Sequence, residues 1–154
     1  MRTLRFPAVA AVAILVIGWS GCSRGYAPGL GEMMSLQQMR HDKLWRAGQE
    51  RNWELCAYEI DELGEGFDDV VRYHPTHKDS PLPLKDLVPK IMGQPLRAVR
   101  AAIDARDPRA FTEAYDTLTA ACNSCHQATN FGINVVRRPK DAGWYANQDF
   151  SPAR

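Results

Sequence analysis

The sequence lacks the patterns by which most fold and function classes are recognised. It has no alternation of apolar and polar residues long enough to predict a β-sheet, and no internal repeat. Its formal net charge is only +1, so nothing indicates binding to nucleic acid. Nucleophile–base motifs and phosphate-binding loops are also absent, so an enzyme is not expected. The 154 residues, 45% hydrophobic and 24% charged, suit one globular domain with its own core.

Long apolar runs are missing too, apart from one short run near the N-terminus. A basic start at residues 1–5 is followed by the apolar residues 9–18 and then by small residues. This run is too short to span a bilayer comfortably and is typical of a bacterial export signal. We therefore expect residues 1–21 to be a signal peptide and the mature protein to work in the periplasm.

The residues before Cys22 resemble the lipobox of bacterial lipoproteins, a family in which the signal peptidase cuts before a cysteine that carries diacylglycerol. Trp19 stands where that motif usually has leucine. The alternative is an ordinary secretory signal followed by a chance cysteine. An unpaired, exposed thiol is a liability in an oxidising compartment. This favours lipidation of Cys22 and anchoring of the protein to the membrane.

Downstream of this segment, apolar residues recur with the period of a helix. After a spacer at residues 22–31, residues 32–48 and 52–73 place apolar side chains three or four positions apart. Residues 74–83, which are rich in proline and histidine, then predict a break, because proline disfavours helix at its own position and before it. Two helices and one connection are therefore expected in the first half of the domain.

The second half of the chain predicts two more helices. Residues 84–105 keep the helical period, but Pro89 and Pro95 should kink that helix or split it. Asp107, which proline follows, predicts the N-cap and first turn of a fourth helix. That helix should end near Gly132.

Four amphipathic helices with short connections predict an all-α fold over residues 32–134, an antiparallel bundle with up-down-up-down topology. In that topology the end of the fourth helix lies beside the start of the first and the connection between the second and third. Residues 135–154, which include Trp144, have no helical period. We expect them to form an irregular and loosely packed tail.

The predicted fourth helix carries the pentapeptide Cys122-Asn123-Ser124-Cys125-His126. Two cysteines at this spacing allow two thiols to attack the two vinyl groups of one haem, and the histidine that follows brings an imidazole up under the iron. The motif therefore predicts one covalently bound haem c.

Other interpretations of the two cysteines remain open. A redox dithiol is one, although such pairs usually begin a helix, where the helix dipole stabilises thiolate. A structural zinc site would need a fourth ligand, for which His74 or His77 is a candidate. A bundle without haem is the third. Cys56 lies on the apolar stripe of the second helix and is expected to be a core residue.

A CxxCH motif on the last helix of a four-helix bundle resembles the class II c-type cytochromes, the cytochrome c prime group. The similarity covers about residues 32–134 and is carried by DPRAFTEAYDTLTAACNSCH (107–126) and more loosely by MRHDKLWRAG (39–48). The resemblance implies that Cys122 and Cys125 form the thioethers and that His126 is the proximal iron ligand. Bundles of this group often pair, so a homodimer is a further expectation.

The resemblance is incomplete on the other side of the iron. Members of the group with a sixth ligand take a methionine from the first helix, in the context Arg-x-x-x-Met-x-x-x-Gly. Alignment of Arg40 and Gly48 with that frame places Leu44 at the methionine position, and leucine cannot coordinate iron. Periodicity puts Met34 and His41 on the same helical face as Leu44. His41 is then the first candidate for distal ligand and Met34 the second, although a lone histidine on an apolar face is more often a hydrogen-bonded core residue.

These features predict an exported mono-haem cytochrome that passes single electrons between redox partners of the periplasm or membrane. An open distal position shielded by Leu44 would instead suit a five-coordinate haem that binds nitric oxide or carbon monoxide. The visible spectrum distinguishes these hypotheses, because a low-spin reduced form that ignores carbon monoxide supports electron transfer.

Overall fold

The computed structural model describes residues 26–140, 145 and 147–153. The predicted signal peptide, the cleavage region and Cys22 lie outside these residues, as does Trp144. Nothing in the described part therefore bears on export or lipidation.

Within the described part, the chain forms four helices and no strand. They are α1 (Leu30–Gln49), α2 (Trp53–Tyr73), α3 (Leu84–Asp104) and α4 (Pro108–Ala128), and their apolar faces share one buried core. The prediction of an all-α fold is confirmed for this part. No described helix combines the length and the apolar character that a membrane crossing requires.

Two helices begin at side-chain caps, and the cap at Asp107 was predicted. The Asn52 side chain accepts a hydrogen bond from the backbone N–H of Leu55 at 3.1 Å, at the start of α2. Asp107 accepts from the N–H groups of Arg109 at 2.9 Å and Ala110 at 3.1 Å, at the start of α4. Each cap satisfies backbone donors that the first helical turn leaves without partners.

The third helix runs through Pro89 and Pro95 without interruption, so the predicted split is wrong. Each interior proline costs a helix about 3 kcal/mol, because it removes a backbone hydrogen bond. Burial of one large apolar side chain contributes about 1.5–3 kcal/mol. The helix buries six of these, which together outweigh two prolines: Leu84, Leu87, Val88, Met92, Val99 and Ile103.

A close contact between α1 and α4 depends on Gly48. A Cβ atom at Gly48 would lie 2.1 Å from Cε1 of Phe111. The Phe111 ring is fully buried and is held by Trp45, whose centroid is 6.4 Å away, and by Trp53 at 6.0 Å. The ring therefore has little room to move. By contrast, a Cβ at Gly64 in α2 would meet nothing within 4 Å.

These two glycines give a matched pair of stability predictions. Gly48→Ala is expected to lower the free energy of unfolding by about 1–3 kcal/mol, because the new methyl group overpacks the core. Gly64→Ala is expected to raise it by about 0.5–1 kcal/mol, because alanine is the better helix former. Urea denaturation of both variants measures the difference. Equal stabilities for the two variants would contradict the close contact at Phe111.

The described C-terminal residues are irregular but not loosely packed, so for them the prediction of loose packing is wrong. We call residues 131–140 and 147–153 the C-terminal strap. Asn123 Nδ2 donates to the carbonyl of Val136 at 2.9 Å and Asn123 Oδ1 accepts from its N–H at 2.8 Å. The Arg138 guanidinium pairs with Asp116 and lies 4.6 Å from the ring centroid of Trp45. The strap thus connects α4 to α1.

The far end of the strap is held at the turn between α1 and α2. Asn52 Nδ2 donates to the carbonyls of Phe150 at 3.2 Å and Ser151 at 2.9 Å. The Phe150 side chain is buried in the core. The strap therefore follows the molecule from the end of α4 to the start of α2.

Candidate functional site

The two cysteines of the pentapeptide lie on the last two turns of α4. Cys122 and Cys125 are free thiols, half-buried against the core. Burial, with a smaller contribution from the neighbouring Cys125, raises the pKa of the Cys122 thiol to about 12. Burial also raises the pKa of Cys125. Both groups are therefore neutral thiols at pH 7, unlike the low-pKa thiolates of redox dithiols.

A zinc site at the two cysteines would need further ligands, and the described residues place none beside them. Among the described residues, no group of three or more histidine, cysteine or carboxylate side chains could hold a metal ion. His74 Nε2 donates to the carbonyl of Pro28 at 2.8 Å, and the His77 ring packs edge-on against Phe131. Cys56 is fully buried, as expected of a core residue. A zinc site that includes His74 or His77 is not assembled.

The position of His126 is fixed by one hydrogen bond. Its Nδ1 lies 2.6 Å from the carbonyl oxygen of Asn134. A carbonyl can only accept, so Nδ1 carries the proton and Nε2 keeps its lone pair. Within the described part of the chain, Nε2 makes no hydrogen bond. An imidazole held in this way presents a single, oriented nitrogen to a metal.

The carbonyl of Asn134 reaches His126 because the chain reverses immediately after α4. The helix ends at Ala128, earlier than the predicted Gly132, because Asn130 takes a left-handed backbone conformation with φ 66°. The N–H of Phe131 then donates to the carbonyl of His126 at 2.7 Å. The strap returns along α4, so that residue 134 lies beside the imidazole.

Sequence reasoning missed Asn123 as part of this arrangement. Asn123 stands between the two cysteines, and its side chain fixes Val136, two residues beyond the Asn134 carbonyl. The CxxCH motif leaves both of its middle positions unspecified, so no signal in the sequence singles out this residue. Its role follows only from the return of the strap.

His41, the first candidate for distal ligand, is a satisfied core residue. It is only 4% exposed, and its Nε2 lies 2.9 Å from Oγ1 of Thr119. The Thr119 hydroxyl donates to the carbonyl of Tyr115, so it accepts from Nε2–H. The Tyr115 hydroxyl lies 2.9 Å from Nδ1. Neither ring nitrogen can reach a metal unless one of these hydrogen bonds breaks.

The burial of His41 predicts a specific pH dependence of stability. Burial lowers its pKa from 6.5 to about 4. The stability that neutral His41 contributes is therefore complete above pH 6.5 and falls by up to about 3 kcal/mol as the pH drops toward 4. In His41→Gln this loss should disappear, which urea denaturation at pH 7 and pH 4.5 can measure. The same pH slope in both proteins would contradict the prediction.

The remaining candidates on α1 occupy different positions. Leu44 is fully buried in the core. Met34 is half-buried and packs against the same core. Neither side chain is held by a polar contact as His41 is. The two differ in burial and in their position along α1.

The elements around His126 meet at one end of the molecule. His74 contacts Pro28, which precedes α1. Asn130, after α4, donates to the carbonyl of Asp79 at 3.1 Å. The segment between α2 and α3 thus contacts both the start of α1 and the end of α4. We call this region, which contains the pentapeptide, the CxxCH end.

A cleft of about 520 Å³ lies elsewhere, between the end of α1 and the strap. Its lining includes Trp45, Arg46, Tyr145 and Phe150 but no residue of the pentapeptide. The chemical groups and the cleft are therefore separate features of the molecule.

Chemically, the CxxCH end brings together two reduced thiols and one oriented imidazole. They could hold a flat, covalently attached cofactor with a metal at its centre. Comparison of the chain with protein-family models, with curated proteins and with solved structures finds no match. The interpretation of this site therefore depends on the residues and contacts described above.

Proposed function

We propose that this chain is an exported mono-haem c-type cytochrome that carries single electrons between redox partners in the periplasm or membrane. The observation that supports it most is the orientation of His126. Its Nδ1 is hydrogen-bonded to the carbonyl of Asn134, so Nε2 remains available to bind a metal. Cys122 and Cys125 supply the two thiols for covalent attachment. When bound, haem c supplies a one-electron couple at its iron.

The residues of α4 fit a haem that faces α1. His126 follows Thr119 by seven residues and Tyr115 by eleven, which places all three on one side of the helix. Thr119 and Tyr115 both contact His41 of α1. The backbones of α1 and α4 approach each other at fewer positions than those of the other three contacting helix pairs. A wider separation of these two helices suits a flat cofactor between them.

The contacts favour an antiparallel arrangement of α1 and α4. Gly48, near the end of α1, faces Phe111, near the start of α4. His41, two turns earlier on α1, contacts Thr119, two turns later on α4. Contacts that advance in opposite directions along two helices support an antiparallel pair.

The same logic applies to the other neighbours in the proposed up-down-up-down bundle. Lys43 pairs with Glu59 at 3.5 Å, whereas Gln37, earlier on α1, donates to the carbonyl of Leu63, later on α2, at 2.8 Å. Only residues 105–107 connect α3 to α4. A connection this short favours antiparallel neighbours.

This register points to Met34 as the sixth iron ligand. Met34 lies seven residues before His41 on the same face of α1, and His126 lies seven residues after Thr119 on the same face of α4. Since His41 contacts Thr119, antiparallel helices place Met34 level with His126. A thioether ligand on one side and an imidazole on the other suit an electron carrier, and methionine ligation raises the potential.

The register does not favour the gas-binding alternative. Leu44 lies three residues after His41, and so one turn farther from the level of His126. It is fully buried in the core cluster that also contains Phe111 and Tyr115. The proposed shield of an open iron is therefore displaced from it, and we retain electron transfer as the proposal.

The protein's own groups set the properties of the site. The Asn134 carbonyl holds the His126 ring and makes it more basic as a ligand. Half-burial of the cysteines limits the access of water to the attachment side. Burial and axial ligation are the two means by which the chain would tune the potential.

The test is the pyridine haemochrome spectrum of the mature protein, expressed together with cytochrome c maturation machinery. A thioether-type band, with a mass increase of one haem per chain, is the expected result. Colourless protein, or unmodified Cys122 and Cys125 in the mass spectrum, would remove the proposal.

A further inference from the structure

Exposed apolar side chains are concentrated at the CxxCH end. The described residues expose seven large hydrophobic side chains. Two of them, Leu36 and Tyr58, lie within α1 and α2. The other five all lie at the starts of α1 and α3 or the ends of α2 and α4: Tyr26, Tyr73, Leu82, Ile133 and Val135.

Two of the three most exposed side chains lie next to the proposed haem ligand. Ile133 is 90% exposed and Val135 is 66% exposed. They flank Asn134, whose carbonyl holds His126. The backbone here is fixed by contacts on α4, yet the two apolar side chains face solvent. Isolated exposed hydrophobic residues are ordinary, but a group of them at one end marks an interaction surface.

The route of the chain indicates what this surface contacts. Tyr26, which is 76% exposed at the same end, follows Cys22 by four residues. Four residues span at most about 14 Å. Its hydroxyl also donates to Glu32 in the first turn of α1, which keeps Tyr26 at this end. A lipid on Cys22 would therefore hold the CxxCH end, and no other part of the bundle, close to the bilayer.

We propose that the CxxCH end rests on the lipid surface, with Ile133, Val135, Leu82, Tyr73 and Tyr26 as its contact residues. Tyrosine suits this position because its ring is apolar and its hydroxyl remains in the headgroup region. Cations and carboxylates are interspersed around the surface, as Lys85 beside Asp86 illustrates. Apolar burial rather than net charge is therefore the driving force.

This orientation rests on the proposed lipidation of Cys22 and adds a function to it. It turns the CxxCH end toward partners in or on the membrane. The opposite end, with the cleft, then faces the periplasm. Electron exchange would then take place beside the bilayer.

The experiment measures binding to phosphatidylcholine vesicles by sedimentation. It uses the mature chain with Cys22→Ser, so that the apolar surface acts without the lipid. Ile133→Ser combined with Val135→Ser is expected to lower the partition coefficient about tenfold, because two exposed apolar side chains lose their burial in lipid. Tyr58→Ser, which removes an exposed apolar side chain from the second turn of α2, is the matched control and should change it less than about twofold.

Two results would overturn the orientation. One is a parent chain that does not bind vesicles at all, which would indicate that this end binds a protein partner and not lipid. The other is a Tyr58→Ser variant that loses as much binding as the double variant. The haem absorbance of the same samples separates this outcome from the proposed function, since haem-loaded chain that ignores vesicles contradicts the orientation alone.

Discussion

Replacement of Cys122 and Cys125 together by serine is expected to leave no haem on the polypeptide after denaturation. Serine has no thiol and cannot form a thioether. Without thioether bonds, the haem is held only by non-covalent contacts. The measurement is haem staining and mass analysis of the denatured chain after expression with the maturation machinery. The expected change is from one haem per chain to none.

Cys56→Ala is the matched control for this experiment. Cys56 is fully buried in α2, outside the pentapeptide. Its replacement removes a thiol of the same chain without touching the proposed site, so haem attachment should be unchanged. Covalent haem on the double serine variant would contradict the assignment of the thioethers, as would its loss in a folded Cys56→Ala protein.

Met34→Leu is expected to convert the reduced haem from a low-spin form that ignores carbon monoxide to a high-spin form that binds it. Leucine fills about the same volume as methionine and tolerates the same site, but it has no sulfur to donate. The change should therefore affect ligation with little effect on the fold. Visible absorption of the reduced protein, with and without carbon monoxide, measures it.

Two variants control for the position of the ligand. Met33→Leu alters the neighbouring residue, which is buried but lies about 100° around α1, and should leave the spectrum unchanged. His41→Gln should also leave the spin state unchanged, because His41 is bonded to Tyr115 and Thr119. An unaltered spectrum in Met34→Leu together with a high-spin His41→Gln would assign the distal position to His41 instead.

Local features of the sequence were sufficient to predict the four helices. Period and capping are properties of neighbouring residues, and Asp107 caps α4 as predicted. The predicted split of α3 was wrong because the cost of Pro89 and Pro95 is local, whereas the compensating burial comes from packing against α2 and α4. The cost of a proline can be estimated from the sequence directly. The burial that compensates for it depends on which side chains meet in the fold.

The details of the site depended on distant residues. The imidazole of His41 is chemically fit for iron, which ranked it first among the candidates. Its actual partners, Tyr115 and Thr119, lie 74 and 78 residues away, and no periodicity within α1 reveals them. The hydrogen bond from His126 to Asn134 depends likewise on a reversal after α4 that one left-handed residue, Asn130, produces. The CxxCH motif itself, by contrast, was visible in five residues.

The attachment of the strap to Asn52 has a consequence for the kinetics of folding. The bond from Asn52 to the Phe150 carbonyl closes a loop of 98 residues, and long loops are entropically costly to close. We therefore expect this contact to form late, after the helices have packed. If the chain is exported from its N-terminus, as we propose, this folding step must wait until Phe150 has crossed the membrane.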